Sequence, residues 1–307
     1  MNSGGRSALG VGLMVASAAC FATMDTTTRY LGALLPLQLM LWARYALHAL
    51  VMALWLGLAR ATTFRTTNVR FQVLRGVLLL GSSTLAFHAL QHIPVAEFTA
   101  IVMLTPVLVT LFAAWLLHEH VSLPRWALVG GGFIGALIVI RPGSGLFGWA
   151  VLLPLAAAFT NAGFQVITSK MGSGESALTT NFYTGLTGTA LLTPVLLASP
   201  VDARATLAAA PPLQWGLLAG IGLLGTGGHL LLIMSLGKAK TSTLMPFLYT
   251  QIGFAALVGW LVFRAVPDFW GWVGMAVIAT CGAASAWLNV RAAPKPVSEV
   301  EADTIVD

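Results

Sequence analysis

The sequence predicts an all-α polytopic membrane protein of ten transmembrane helices, arranged as two inverted five-helix repeats. Three observations carry this reading. Charged residues make up 8% of the 307 residues and hydrophobic ones 57%, too little charge to coat a water-soluble domain of this length. The charges fall between apolar runs of about 20 residues, the length that crosses a bilayer core. The second half of the chain repeats features of the first at an offset of about 146 residues.

The spans follow in order: Ala8–Tyr30, Pro36–Leu58, Arg70–Gln91, Val95–Leu117, Leu123–Ile140, Phe147–Lys170, Ala177–Ser199, Leu213–Leu236, Ser242–Phe263 and Phe269–Val290. Each must be helical, because lipid offers backbone N–H and C=O groups no partners. In the first span Ser17-Ala18-Ala19-Cys20 loosely matches a lipoprotein cleavage site. Ser17 stands where a large aliphatic residue is needed, and the apolar run continues to Tyr30, so the segment reads as a retained helix. Connections are short and leave no soluble domain. The remainder divides into a first repeat, 8–141, and a second, 147–290, flanked by cytoplasmic termini 1–7 and 291–307. The acidic C-terminal tail is expected to be disordered. Cys20 and Cys281 sit in separate apolar spans and read as packing residues, not a disulfide framework.

Basic residues orient the bundle. With the N-terminus inside, one face holds Arg6, Arg60, Arg65, Arg70, Arg75, Arg125, Lys170, Lys238, Lys240, Arg291 and Lys295. The other holds Arg29, Arg141, Arg204 and Arg264. Eleven against four places both termini in the cytoplasm, as an even span count requires. The net charge of +6 is this inner-face excess, suited to anionic lipid headgroups, and needs no nucleic-acid partner.

The repeat is visible in the residues. Ile93-Pro94-Val95-Ala96 opens span 4, which ends in Trp115-Leu116-Leu117-His118-Glu119; Pro124-Arg125-Trp126 and a glycine-rich span follow. Lys238-Ala239-Lys240-Thr241 opens span 9, which ends in Gly259-Trp260-Leu261-Val262-Phe263-Arg264; Pro267-Asp268-Phe269-Trp270 and another glycine-rich span follow. Five spans per copy is an odd number, so the second copy enters the membrane from the opposite face. Inverted repeats are the architecture of secondary transporters.

Several motifs in fixed order carry a resemblance. They are Ala19-Cys20-Phe21-Ala22-Thr23-Met24-Asp25 with Arg29-Tyr30-Leu31, Leu85-Ala86-Phe87-His88-Ala89-Leu90 with Ile93-Pro94, Leu104-Thr105-Pro106, His118-Glu119, Pro246-Phe247-Leu248-Tyr249-Thr250-Gln251, and Pro267-Asp268. Together they resemble the EamA repeats of the drug/metabolite transporter superfamily, over about residues 8–290. One departure stands out: Arg264-Ala265 occupies the place of the usual Gly-Glu. The resemblance implies a ten-helix exporter of small metabolites, most similar to bacterial amino-acid exporters.

Ionisable and amide side chains inside spans are the candidate site residues, because lipid makes them costly. Asp25 and Arg29 lie four apart on one face of the first span, and Arg44 lies at similar depth, eight residues or about 12 Å into the second. They read either as an ion pair orienting two helices or as a coupling carboxylate and counter-charges for a zwitterion. His88 is either a packing histidine or a cavity-wall group, since the resemblance puts spans 3 and 4 around the pathway. Glu97 reads as a solvated residue at the mouth. In the second repeat Asn161 and Gln165, His229, Tyr249 and Gln251 are expected either to glue helices or to hydrogen-bond a substrate. Met103 adds a soft contact. Pro106 and Pro246 sit in equivalent helices and read as hinges, and proline at Pro106 frees a carbonyl that could hold a substrate amine. The glycine-rich spans 5 and 10 read as peripheral supports of a monomer, with a dimer face as the alternative.

Other chemistry lacks its motifs. Gly143-Ser144-Gly145-Leu146-Phe147-Gly148 has the letters of a dinucleotide fingerprint but lies between spans, not after a strand. His118-Glu119-His120 lacks the second histidine a zincin needs, Ser122 standing there, so no metal site is expected. There is no P-loop, no G-x-S-x-G nucleophile and no re-entrant filter segment, which argues against an ATP-driven pump, an enzyme and a channel. The expectation is an inner-membrane exporter of neutral or aromatic amino acids and related metabolites, without a cofactor. Export of another small solute such as a drug cation, a nucleoside or S-adenosylmethionine is the alternative.

Overall fold

The computed structural model describes residues 3–58, 64–116, 123–141, 148–171, 175–236, 238 and 247–292. Twelve α-helices are found among them: α1 (Ser3–Gly32), α2 (Leu37–Leu58), α3 (Val69–His92), α4 (Val95–Val102), α5 (Thr105–Leu116), α6 (Leu123–Ile140), α7 (Leu152–Met171), α8 (Ala177–Ala198), α9 (Ala203–Ala209), α10 (Pro212–Leu236), α11 (Thr250–Phe263) and α12 (Phe269–Ala292). No strand occurs among the described residues.

Five segments are each long and apolar enough to cross a membrane: Ala8–Gly32, α2, α3, Gly148–Thr168 and Pro212–Leu232. The bent pair of α8 and α9 supplies a sixth, and four shorter apolar helices complete ten. Helix α9 turns 94° from α8 and is not itself a span. The lipid-facing surface is apolar, with Leu50, Leu54, Trp55 and Trp270 about half exposed.

Span 4 is broken. It divides into α4 and α5 at Met103–Leu104, where the Leu104 N–H turns back to Ile101 O. Pro106 therefore occupies the first turn of α5 instead of a helix interior, the position where its missing N–H is tolerated. The carbonyl deprived of its donor is Val102 O, and the Thr105 hydroxyl donates to it at 2.7 Å. The carbonyl freed by Pro106 thus already accepts one hydrogen bond, from the neighbouring threonine. Pro246 lies outside the described residues, as do His118, Glu119 and the tail beyond Ala292.

The packing obeys a two-fold exchange of spans 1–5 with 6–10. Helix α1 packs on α10, and α3 on α7, its exchanged pair. Likewise α1 on α11 matches α4–α5 on α7, and α10 on α2 matches α3 on α8. The pairs α2 with α8 and α6 with α12 are their own images. Close glycines register the symmetry. A Cβ on Gly76 would lie 2.6 Å from Thr187 on α8, and one on Gly222, 146 residues later, 2.7 Å from Leu47 on α2. Helices α6 and α12 meet backbone to backbone: a Cβ on Gly274 would lie 2.7 Å from Gly135 O. The glycine-rich spans are thus packed on each other.

Candidate functional site

A cavity lies among the exchanged spans. Its walls come from the spans the exchange interchanges: α1 with α7, α3 with α10, and α4–α5 with residue 248 and α11; Arg44 of α2 joins them. The cavity has a volume of about 150 Å³. Four phenylalanines, Phe21, Phe87, Phe98 and Phe164, share its wall with Asp25, Arg44, Ser82, Ser83, Asn161, Gln165, His229 and Gln251.

The polar groups differ in what they have free. Arg44 Nη1 donates to Ser83 Oγ at 2.8 Å, and the Tyr45 hydroxyl lies 2.9 Å from the same oxygen. The guanidinium stands 5.3 and 5.5 Å from the ring centres of Tyr45 and Phe87. Asp25 is buried and feels the Arg44 charge but makes no ion pair within 4 Å; the only such pair among the described residues is Arg141–Asp268. Gln165 Nε2 donates to Asn161 Oδ1 at 3.1 Å, one helical turn apart, which leaves the Asn161 amide group and the Gln165 carbonyl for a solute. Phe21 meets His229 edge to face at 4.9 Å, and His48 stacks behind it at 6.5 Å.

A second pocket of about 40 Å³ lies toward the ends of α1 and α11. Arg29 lines it, donates to Ile93 O and covers the Phe263 ring at 5.2 Å. Glu97 lines it too, buried, with Oε2 unpartnered. Nearby, Arg141 at the end of α6 pairs with Asp268 at 2.7 Å. The Gly271 N–H at 2.8 Å, then the Arg141 guanidinium, hold the Asp268 carboxyl below its ordinary range against the upward push of desolvation.

The model of the EamA-like transporter family matches residues 8–141 and again 148–285. The chain belongs to the EamA-like transporter family. Among similar proteins is a riboflavin transporter of Brucella anthropi, 30% identical over 271 residues, covering 86% of this chain and 94% of that one. An S-adenosylmethionine uptake transporter of Rickettsia bellii is 25% identical over 263 residues, covering 85% and 87%. A solved crystal structure, 18% identical, superposes at a TM-score of 0.63 over 94% of this chain and 98% of its own, a likeness of fold. The protein is therefore a multi-pass transporter of small solutes, as the sequence led us to expect.

Set on this EamA-like frame, the predicted residues part company. Asp25, Arg44, Met103, Asn161, Gln165, His229 and Gln251 do line the one cavity. His88 does not: it is exposed on α3, because the cavity face of that helix is Leu79, Ser82, Ser83, Ala86 and Phe87, and residue 88 is turned about 100° from 87. Arg29 shares a helix face with Asp25 but lines the second pocket, one turn further on. Tyr249 is buried against α12, where a Cβ on Gly282 would meet its ring, so it belongs to the core between Leu248 and Gln251. Glu97 is buried, not solvated. Ser82, Ser83 and the four phenylalanines are not singled out by position in the sequence, since Phe and Ser in a span are ordinary helix-packing residues and only their shared face marks them.

Proposed function

We propose that this transporter moves small metabolites that combine a flat aromatic ring with a polar edge, riboflavin and aromatic amino acids being the solutes to test first. The observation that carries the reading is the cavity wall itself, four phenylalanine rings beside an amide pair, an imidazole, a carboxylate and a guanidinium. Rings offer stacking surfaces, and a few fixed polar groups orient a ligand without specifying its size. The flavin ring of riboflavin, which the Brucella relative is named for, has this shape and edge. Asp25 and Arg44, opposite charges in one cavity and not paired with each other, favour zwitterionic aromatic amino acids as the second reading. Solutes with net negative charge are disfavoured, because the Asp25 carboxyl lines the cavity with no cation paired to it within 4 Å.

The two halves alternate in opening to either side, the inner membrane being the setting and both termini cytoplasmic, on the strength of the basic-residue asymmetry. Export follows the solute gradient out of the cell. Proteoliposomes holding the full chain would be loaded with labelled riboflavin, tryptophan, phenylalanine, S-adenosylmethionine or glutamate. Efflux of at least one ring-bearing neutral or zwitterionic solute well above empty vesicles, with glutamate near background, is the expected result. Efflux of glutamate alone would defeat the proposal.

A further inference from the structure

Counting 146 residues from Gly76 gives Gly222, and the same count carries Arg75 to Ile221. Arg75 lies seven residues before the cavity-lining Ser82 on α3 and Ile221 eight before the cavity-lining His229 on α10, and the two residues are chemically unlike. Ile221, fully buried, sits in an apolar cluster with Met24 and Leu31 of α1 and Leu41 and Tyr45 of α2. Arg75, also buried, reaches from α3 to the exchanged helices α7 and α8. Its Nε donates to Thr168 Oγ1 at 2.7 Å, its Nη1 to Thr180 O at 3.0 Å and Thr184 Oγ1 at 2.8 Å, and its guanidinium covers the Phe164 ring at 4.5 Å. None of these partners is a carboxylate.

The position matters. Ser82 and Gln165 line the cavity; Arg75 lies two turns from the first and Thr168 about one turn from the second, both toward the face where α1 begins. Further out, Gln72 Nε2 donates to Thr180 Oγ1 at 3.3 Å, and the Thr66 and Thr67 hydroxyls donate to Glu175. Every tier ties the first repeat to the second. We infer that Arg75 is the latch of the gate on the terminus-bearing side, a polar closure that trades its partners for water when that side opens, whereas Ile221 seals the other side dry. The inference rests on transport by alternating access.

The threonines make the test clean. Thr168 already donates to Phe164 O and Thr184 to Thr180 O, so loss of the arginine orphans no donor on α7 or α8. Conversely, Thr168→Val with Thr184→Val keeps the side-chain shape while stripping Arg75 of two acceptors, and a buried guanidinium short of partners escapes to water. The experiment uses the full chain in membrane vesicles of both orientations, with Cys20 and Cys281 replaced by Ala and a reporter Ala157→Cys in the cavity wall. An impermeant maleimide reads accessibility from each face. The double valine variant should be labelled several-fold faster from the face bearing the termini, and adding Arg75→Met should return the rate to the parent value or below. The single valine variants should give smaller increases and stand in if the double variant is not inserted. Unchanged labelling in all the valine variants, or failure of Arg75→Met to reverse the rise, overturns the latch. A rise confined to right-side-out vesicles overturns the latch unless a terminal tag is open to protease in those same vesicles, which upholds the latch and reverses the assigned topology. Alternating access is judged separately, by whether labelling from the opposite face falls as this one rises.

Discussion

Arg44 Nη1 donates a hydrogen bond to Ser83 Oγ at 2.8 Å and none to Asp25, although both charges line the same cavity. Ser83 thereby serves two neighbours, since the Tyr45 hydroxyl also lies 2.9 Å from it. Ser83→Ala leaves a buried guanidinium donor and a buried phenol short of a partner. It should cost about 1–3 kcal/mol, against about 1 kcal/mol for Tyr45→Phe, which orphans no charged group. Thermal melts of the purified variants, compared at equal detergent, check the order; equal losses would show that Arg44 finds another partner.

Asp25 makes no ion pair within 4 Å, so Asp25→Asn breaks no direct contact with Arg44, which it meets only through the charge field. Folding stability should change by less than about 1 kcal/mol, while transport of cationic and zwitterionic solutes should fall several-fold. An unfolded Asp25→Asn variant would restore the ion-pair reading. If transport of the parent protein responds to a pH gradient and that of the variant does not, the carboxylate also couples protons.

Much of the fold was legible in the sequence, for a physical reason: lipid forces each span to be helical and long, and repetition at 146 residues reports symmetry. The break at Met103–Leu104 was not, because its signal, Thr105 beside Pro106, is a local repair of one carbonyl and looks like any threonine. Polar site residues such as Asn161 and His229 were legible because amides and imidazoles in lipid need a reason. His88 met the same criterion and failed, since composition cannot say toward which face of α3 a residue points. Arg75 was counted only as surface charge, its burial between three helices being a tertiary fact.

Arg264, standing where the resemblance leads one to expect glycine, adopts a backbone conformation that favours glycine. It stands at φ 56° after α11, its N–H closing on Trp260 O at 2.9 Å, a left-handed helix end where glycine is free of strain. Arg264→Gly should raise stability by up to about 1 kcal/mol, less what is lost where the guanidinium covers the Trp260 ring at 5.6 Å. The opposite change belongs between α6 and α12. Gly274→Ala would press a methyl to 2.7 Å from Gly135 O and should cost about 1–3 kcal/mol, while Gly220→Ala, with nothing within 4 Å, should be neutral or gain up to about 1 kcal/mol. Melting temperatures of the three variants test this set.

Two loop carboxylates set an acid limit. Against the upward push of desolvation, hydrogen bonds from Thr66, the Thr67 hydroxyl and the Thr67 N–H hold Glu175 below its ordinary 4.5, and Gly271 and Arg141 hold Asp268 below its ordinary 3.8. A carboxyl lowered in the folded state adds stability that is complete above its unfolded value and lost as pH falls through the folded one. Melting temperature should therefore be insensitive to these groups from pH 8 to 5 and decline below about pH 4. In Glu175→Gln and Asp268→Asn together the acid decline should be shallower. Both groups are largely solvated, so the difference will be small.

The residues that line the cavity and the one that does not give the sharpest test of the site. Asn161 and Gln165 bond each other at 3.1 Å and each keeps one polar group for a solute. Removing either leaves its partner without that bond and removes a solute contact as well. Asn161→Ala and Gln165→Ala should each slow transport several-fold to about tenfold, in line with one or two hydrogen bonds of about 1 kcal/mol, and by different factors for different solutes. His88→Ala, on the exposed side of α3, should transport every solute at the parent rate. Because all three side chains are polar and intramembrane, their substitution tests position and not polarity. Rates measured in proteoliposomes at matched protein density decide it. A defect in His88→Ala equal to that in Asn161→Ala would move the pathway to the outer face of α3 and displace the cavity as the binding site.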